Sequence, residues 1–363
     1  MTDETKDLIK KQIQKKYGDI IRSGADVFEE IKDLQVIPIS PALDYALGGG
    51  IREGSWVKLT GDPKTGKTTT ALQFAANCQR EEYGSRPIYY VNVEGRLNRN
   101  NLEGVHGLNL DNVQVIESPD QPLSAEKYLG TVKEIVNAVP NCVIILDSVS
   151  SLIAQRDLDD EVRGDYRPGL QKILSDFCKK MGGTVRHQRA IIIMVTHFIS
   201  NTSGFSRKTK VSDGGVKIDY QADTKLEIKY IQAWKEKIDG QEKQIGQVIH
   251  WSVVTSPLSG FPGAEAVSYL RYGEGIDRTQ ELIQQAVDFA LIDVSGAWYS
   301  CDFAINEKES MTDFLTEHNI DIEDEKSIEK FFKFQGQVKL KQFLSDNPKV
   351  FKLLEDTVKE ILM

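Results

Sequence analysis

The stretch Gly61-Asp62-Pro63-Lys64-Thr65-Gly66-Lys67-Thr68 is an unbroken G-x-x-x-x-G-K-T. It lies between a strand-like run, Ser55-Trp56-Val57-Lys58-Leu59, and a helix-like run from Thr69 to Arg80. Strand, glycine-rich turn and helix in that order form a loop that cradles phosphates. The glycines let the backbone wind tightly enough to aim successive N–H groups inward, and the helix adds the positive end of its dipole. In such a loop Lys67 reaches the β- and γ-phosphates and the Thr68 hydroxyl takes a place on Mg2+, with Gly61 to Thr69 forming the wall of an ATP site. A polyphosphate loop of this kind requires a strand in a sheet behind it.

The rest of the chain supplies that sheet. Beyond the loop, strand-like runs at Pro87 to Val93, Val113 to Ile116, Cys142 to Leu146 and Ala190 to Val195 alternate with helix-like ones. The last two are continuous apolar runs, as in strands buried on both faces. The expectation is an α/β fold with a mostly parallel twisted sheet around the P-loop. Further strands at Lys225 to Ile231, Gly246 to Val254 and Val267 to Tyr272 are read as an antiparallel extension, with a polar turn from Ile238 to Lys243. Ahead of the sheet, Leu8, Ile9, Ile13, Tyr17, Ile20 and Ile21 recur near helical spacing, so residues 4–21 are predicted to be one amphipathic helix. It packs either on its own domain or on a neighbouring subunit. From Gly296 onward the pattern has helices of its own. The division expected is a helical arm at 1–35, the core at 36–278 and a small α+β domain at 279–363.

Parallel sheets bind ligands at the carboxyl ends of their strands. Val143-Ile144-Ile145-Leu146 ends in Asp147-Ser148, a carboxylate placed to hold Mg2+ directly or through water. Pro87 to Val93 leads to Glu94, which can orient or deprotonate an attacking water. Ala190 to Val195 ends in Thr196-His197, where a polar side chain can sense a γ-phosphate. Two polar loops leave neighbouring strand ends. Asn201 to Ser212 fits neither helix nor strand and carries Phe205, Arg207, Lys208 and Lys210 with no acid. Cations with a central aromatic suit a single-stranded nucleic acid, and stacking on such a ring contributes ~1–3 kcal/mol per base. Gly214 and Gly215 allow close backbone approach at the return. The other loop, Asp157 to Gly169, is acidic at first and then offers Arg163, Tyr166 and Arg167.

Charge does not decide for or against nucleic acid. The net charge of −9 is concentrated in Asp302 to Lys330, where ten acids face three bases. The four cysteines, Cys78, Cys142, Cys178 and Cys301, have no metal-type spacing and read as buried reduced thiols. The longest apolar runs fall far short of the ~18 residues of a membrane span. With no signal peptide at the charged N-terminus, the chain is expected in the cytoplasm of a bacterial or phage-infected cell.

Taken together, the chain resembles the RecA family of homologous-recombination ATPases, its phage UvsX branch included. The likeness runs from Lys16-Tyr17-Gly18 through Ser40 to Gly50, the P-loop, Glu94, Ile145-Leu146-Asp147-Ser148 and both loops with Gly214-Gly215. It continues through Tyr272-Gly273-Glu274-Gly275-Ile276, Gly296-Ala297-Trp298-Tyr299-Ser300 and Lys341 to Ile361. The resemblance implies a DNA-dependent ATPase that turns ATP into ADP and phosphate. It implies polymerisation on single-stranded DNA as a helical filament, pairing with a homologous duplex, and strand exchange. Single-strand-binding and mediator proteins are possible partners. By position, Glu94, His197 and Lys67 carry catalysis, Asp147 and Ser148 belong to the ATP site, and Thr68 with Asp147 holds Mg2+. Arg163 and Arg167 fall in the first DNA loop, and Phe205, Arg207, Lys208, Lys210, Gly214 and Gly215 in the second. In this light residues 1–35 read as the arm that docks on the next protomer. There are departures from bacterial members. His197 stands where they have Gln, as it does in UvsX, and Asn101 stands where an adenine-stacking tyrosine is common. Ser256 and Leu258 align with the lysines that reach a neighbour's ATP. Two other readings stay open at this point: a non-filamenting accessory factor with the same fold, and a hexameric helicase.

Overall fold

A computed structural model of the chain describes residues 3–18, 20–118, 120–159, 169–200, 210–238, 240–258 and 262–362. It divides into two compact units, Met1–Val36 and Ile37–Met363.

In the first unit the helix predicted over residues 4–21 stops early, and a second helix follows beyond that span. One spans Asp3–Tyr17 and the other Gly24–Lys32. The break falls at Gly18, whose φ of 80° is cheap only for glycine and ends the first helix, leaving Ile20 and Ile21 beyond it. Ser23 caps the second helix by accepting the Asp26 N–H at 3.0 Å. Leu8, Tyr17 and Phe28 remain more than half exposed.

The second unit is built on a 10-stranded sheet. Its path begins with Val113–Ile116 at one edge and runs through Ile88–Asn92, Val143–Asp147, Ile191–Ser200, Trp56–Gly61 and Thr224–Ile238, neighbours all parallel. Gln241–Thr255, Glu265–Arg271 and Gly275–Ile276 then extend it antiparallel, as expected. Alternation puts Val143 and Ile145 in one hydrophobic cluster and Ile144 and Leu146 in the other, so this strand is apolar throughout because both of its faces are covered. The P-loop helix, Lys67–Cys78, packs in the first cluster; Ala125–Ala138 and Gly169–His187 pack in the second.

Two segments depart from the sequence expectation. The polar turn predicted at Ile238 to Lys243 is mostly strand. Gln241 already pairs with Ile238 and Lys243 with Glu236, because an exposed two-stranded arm needs only its ladder hydrogen bonds and tolerates polar side chains on both faces. The strand predicted to end at Val195 continues to Ser200. Phe198, Ile199 and Ser200 pair with Ser212, Val211 and Lys210, so the stretch from Asn201 to Ser212, expected to be irregular throughout, ends in a short strand.

Residues from Leu282 to Val358 share a cluster of their own, under a small sheet of Asp293–Ser295, Trp298–Ser300 and Lys333–Gln335. Cys78, Cys142, Cys178 and Cys301 are all buried and unbridged. The helix Arg278–Asp288 joins this part to the sheet through buried polar groups. Glu281, 1% exposed, accepts the Ala42 N–H at 3.0 Å at the start of the helix Pro41–Leu47. Burial lifts its carboxyl to about 7, against the pull of the Ala42 hydrogen bond and the Arg278 charge. A folded-state value above the unfolded one gives stability that is complete near pH 4.5 and is lost as pH rises toward 7. The shift corresponds to roughly 3 kcal/mol as an upper bound. Glu281→Gln, which keeps the acceptor, is therefore expected to melt with the parent at pH 4.5 and above it at pH 8; equal melting temperatures at both would exclude this linkage.

Candidate active site

The carboxyl ends of the central strands carry the chemistry. Gly61, the last residue of Trp56–Gly61, lies opposite His197, and Asn92 lies opposite Asp147. Strand register therefore brings together residues separated by up to 136 positions. A cleft of about 430 Å3 there is lined by Lys64, Thr65, Gly66, Lys67, Thr68 and Thr69 together with Asn92, Glu94, Asp147 and His197.

The loop follows its sequence pattern. Gly66 sits at φ 97°, where a side chain would be strained, and a Cβ there would also push aside Ile249 Cδ1, 2.6 Å away. Lys67 opens the helix and is 4% exposed. Its ammonium donates to the carbonyls of Gly61 at 2.9 Å and Asp62 at 2.7 Å. Burial lowers it to about 8, opposed by the charges of Asp147, Glu94 and Asp62. Gly61 and Asp62 contribute backbone carbonyls here and do not line the cleft.

Asp147 Oδ2 accepts two short hydrogen bonds, from Thr68 Oγ1 and from Tyr90 Oη, both 2.6 Å. Hydroxyl and carboxylate thus meet where a Mg2+ ion would need them. Such an ion takes one or two carboxylates with substrate phosphates and waters, so this donor set fits it.

Glu94 is 14% exposed, and its two oxygens differ. Oε1 receives Ser148 Oγ at 2.6 Å and Ser151 Oγ at 3.2 Å, and faces His197 Nε2 at 2.7 Å. Among the described residues Oε2 pairs with Arg96, at 3.5 Å. Burial works against its charge, but the bonds from Ser148 and His197 and the charges of His197 and Arg96 outweigh it, holding the carboxyl below its ordinary value. At neutral pH it is a carboxylate suited to orienting a water. Ser148, expected in the ATP site, is fully buried and acts on Glu94.

The second loop's described part reaches this wall directly. Lys210 Nζ holds Asp62 through both carboxylate oxygens, at 2.9 and 2.7 Å. Gly214 and Gly215, at φ 108° and 80°, turn the chain into the helix Val216–Gln221. Arg163, Arg167, Phe205, Arg207 and Lys208 lie outside the described residues.

Sequence reasoning missed Tyr90, Arg96, Asn98, Gln247, Leu270 and Tyr272, which also line the cleft. Tyr90 had a signal: a phenol inside a buried strand, 2% exposed, needs a partner for its hydroxyl. Burial beside Asp147 drives that phenol far above its ordinary value, so it stays protonated and donates. Tyr272 is brought in from a distant strand end, which local pattern does not show. Asn101 lines the cleft as well. Ser256 instead donates to the Leu47 carbonyl at 2.8 Å.

Among the described residues no helix is long and apolar enough to cross a membrane. The family described as the RecA N-terminal domain matches residues 5–277. Protein RecA of Xanthomonas axonopodis pv. citri is 30% identical over 305 residues, covering 80% of this chain and 81% of that protein. Protein RecA of Desulforapulum autotrophicum is 28% identical over 360 residues, covering 97% of this chain and 90% of that protein. With a P-loop, strand-end carboxylates and a match over most of its length, the chain belongs to the RecA family.

Proposed function

We infer that this chain is an ATP-dependent DNA recombinase, a DNA-dependent ATPase that polymerises on single-stranded DNA and promotes homologous pairing and strand exchange. The observation that carries the reading is the descent of one strand, Ile191–Ser200, from the nucleotide wall into the second loop. His197 on that strand faces Glu94 at 2.7 Å, and Lys210 on the return strand holds Asp62 of the P-loop. In this reading nucleotide state and loop position are coupled through these bonded groups.

In this reading Lys67 meets the β- and γ-phosphates of ATP, and the backbone N–H groups of the P-loop wrap them. Thr68 and Asp147 hold Mg2+, which neutralises charge on the phosphates when bound. Glu94 orients the water through Oε2, and Ser148 fixes its other oxygen. Tyr272 and Leu97 sit where a base can rest, in place of a stack on Asn101. His197 senses the γ-phosphate and passes its presence to the second loop. Arg163, Arg167, Phe205, Arg207, Lys208, Lys210, Gly214 and Gly215 take the single strand, so Lys210 exchanges Asp62 for a DNA phosphate. Residues 1–35, with Leu8, Tyr17 and Phe28 exposed, are the arm that docks on the next protomer. Residues 279–363 form the small C-terminal domain. The homologous duplex is the second DNA substrate, single-strand-binding and mediator proteins are candidate partners, and the protein works in the cytoplasm.

One experiment separates this from a ring helicase and from an inert oligomer. ATPase rate is measured with and without single-stranded DNA, and the same samples are imaged by electron microscopy. The expected result is DNA-stimulated turnover together with ATP-dependent helical filaments. Closed rings with directional unwinding, or no filament with ATP and DNA present, would sink the reading.

A further inference from the structure

The two oxygens of Glu94 have unequal surroundings, and the difference points to Arg96. Oε1 is anchored inward by Ser148, Ser151 and His197. Among the described residues the polar partner of Oε2 is the Arg96 guanidinium at 3.5 Å. Arg96 follows Gly95, which turns the chain at φ 63° just past the strand Ile88–Asn92. Its side chain is 78% exposed and lines the cleft. Among the described lining residues the permanent cations are Lys64, Lys67 and Arg96, and of these Arg96 is the one paired with Glu94. A planar guanidinium gives paired donors to phosphoryl oxygens and cannot lose its charge at working pH.

We propose that Arg96 is a catalytic residue supplied in cis, whose guanidinium leaves Glu94 Oε2 for the γ-phosphoryl oxygens of bound ATP. The proposal rests on the ATPase reading above and deepens it. The exchange does two things together: it exposes Oε2 to the attacking water and puts positive charge where negative charge builds during phosphoryl transfer. In that reaction the water oxygen bonds to the γ-phosphorus. The bond to the β–γ bridging oxygen breaks with its electron pair staying on ADP, and the water proton departs by way of Glu94 to solvent. Arg96 remains protonated throughout. The positions that align with neighbour-reaching lysines elsewhere in the family are Ser256 and Leu258, neither of them cationic, so the chain has use for such a group in the same subunit.

The test compares the full-length parent with Arg96→Ala and Arg96→Lys, in the presence of single-stranded DNA. Turnover is measured beside the affinity of each protein for a fluorescent ADP, alone and with aluminium fluoride as a mimic of the transferring phosphoryl group. Arg96→Ala is expected to lose on the order of 10²- to 10³-fold in kcat, a loss typical of one removed transition-state donor. Its ADP affinity should change little, its affinity for the aluminium fluoride complex should fall in step with kcat, and Arg96→Lys should recover part of both. The exposure of the side chain predicts an unchanged melting temperature, which confirms that the variants fold. Turnover near or above the parent's, or equal loss of ADP and of the complex, would overturn the assignment. A parent without DNA-stimulated turnover would instead overturn the functional reading itself.

Discussion

Lys67→Ala is expected to lose ATP affinity by on the order of 10²- to 10³-fold, the usual cost of removing one partner of a buried charge pair. Lys67 is 4% exposed, and its ammonium donates to the carbonyls of Gly61 and Asp62. Those carbonyls hold it in place but cannot be its purpose, because burial of a cation for two neutral acceptors is unfavourable. The cost is visible in its pKa of about 8. A polyphosphate reverses that balance by favouring the charged form. Above pH 8 the free site has partly lost its proton, so binding must take one up and parent affinity should fall, at most about tenfold per pH unit. The variant has no such group and should show no decline from it. Titration of a fluorescent ATP analogue across pH 7 to about 9.5 reads both effects. A variant that binds within about tenfold of the parent would place the nucleotide elsewhere.

How much of this was legible depended on how local each determinant is. The glycine turn at Gly66 and the helix opening at Lys67 were legible because that geometry is encoded in contiguous residues. Asp147 and Glu94 were legible because Asp147 ends, and Glu94 closely follows, strands whose apolar residues are themselves a local signal. The pairing of His197 with Glu94 was not, since it arises from register between strands far apart in sequence, although both residues were chosen. Arg96 escaped because an exposed arginine after a glycine reads as an ordinary turn until its neighbour is known. Local pattern also misplaced ends: Gly18 stops a helix whose apolar spacing continues past it. Lys210 was chosen for its charge. Its hold on Asp62, through a strand that pattern alone called irregular, appears only in three dimensions.

The second large effect is expected at the opposite ends of the central strands, where Arg86→Met should destabilise the fold by roughly 3–5 kcal/mol, as loss of one partner in a buried ion pair does. Arg86 is 3% exposed and Glu53, its ion-pair partner, 2%. The same guanidinium donates to the carbonyls of Tyr83 at 3.0 Å, Arg189 at 3.0 Å and Asn141 at 3.5 Å. Glu53, Arg86, Asn141 and Arg189 each lie shortly before one of the four central strands Trp56–Gly61, Ile88–Asn92, Val143–Asp147 and Ile191–Ser200. One side chain thus gathers the amino ends of the strands whose carboxyl ends carry Lys67, Glu94, Asp147 and His197. Removing it leaves Glu53 buried with only Arg189, at 3.3 Å, to meet its charge. Pairing Arg86→Met with Glu53→Gln removes the stranded charge and should restore part of the loss. Urea unfolding of the parent, both single variants and the double variant measures the coupling between them. Additive losses in that cycle would mean that the guanidinium acts through the backbone carbonyls alone, and that Glu53 has no share in aligning the strands.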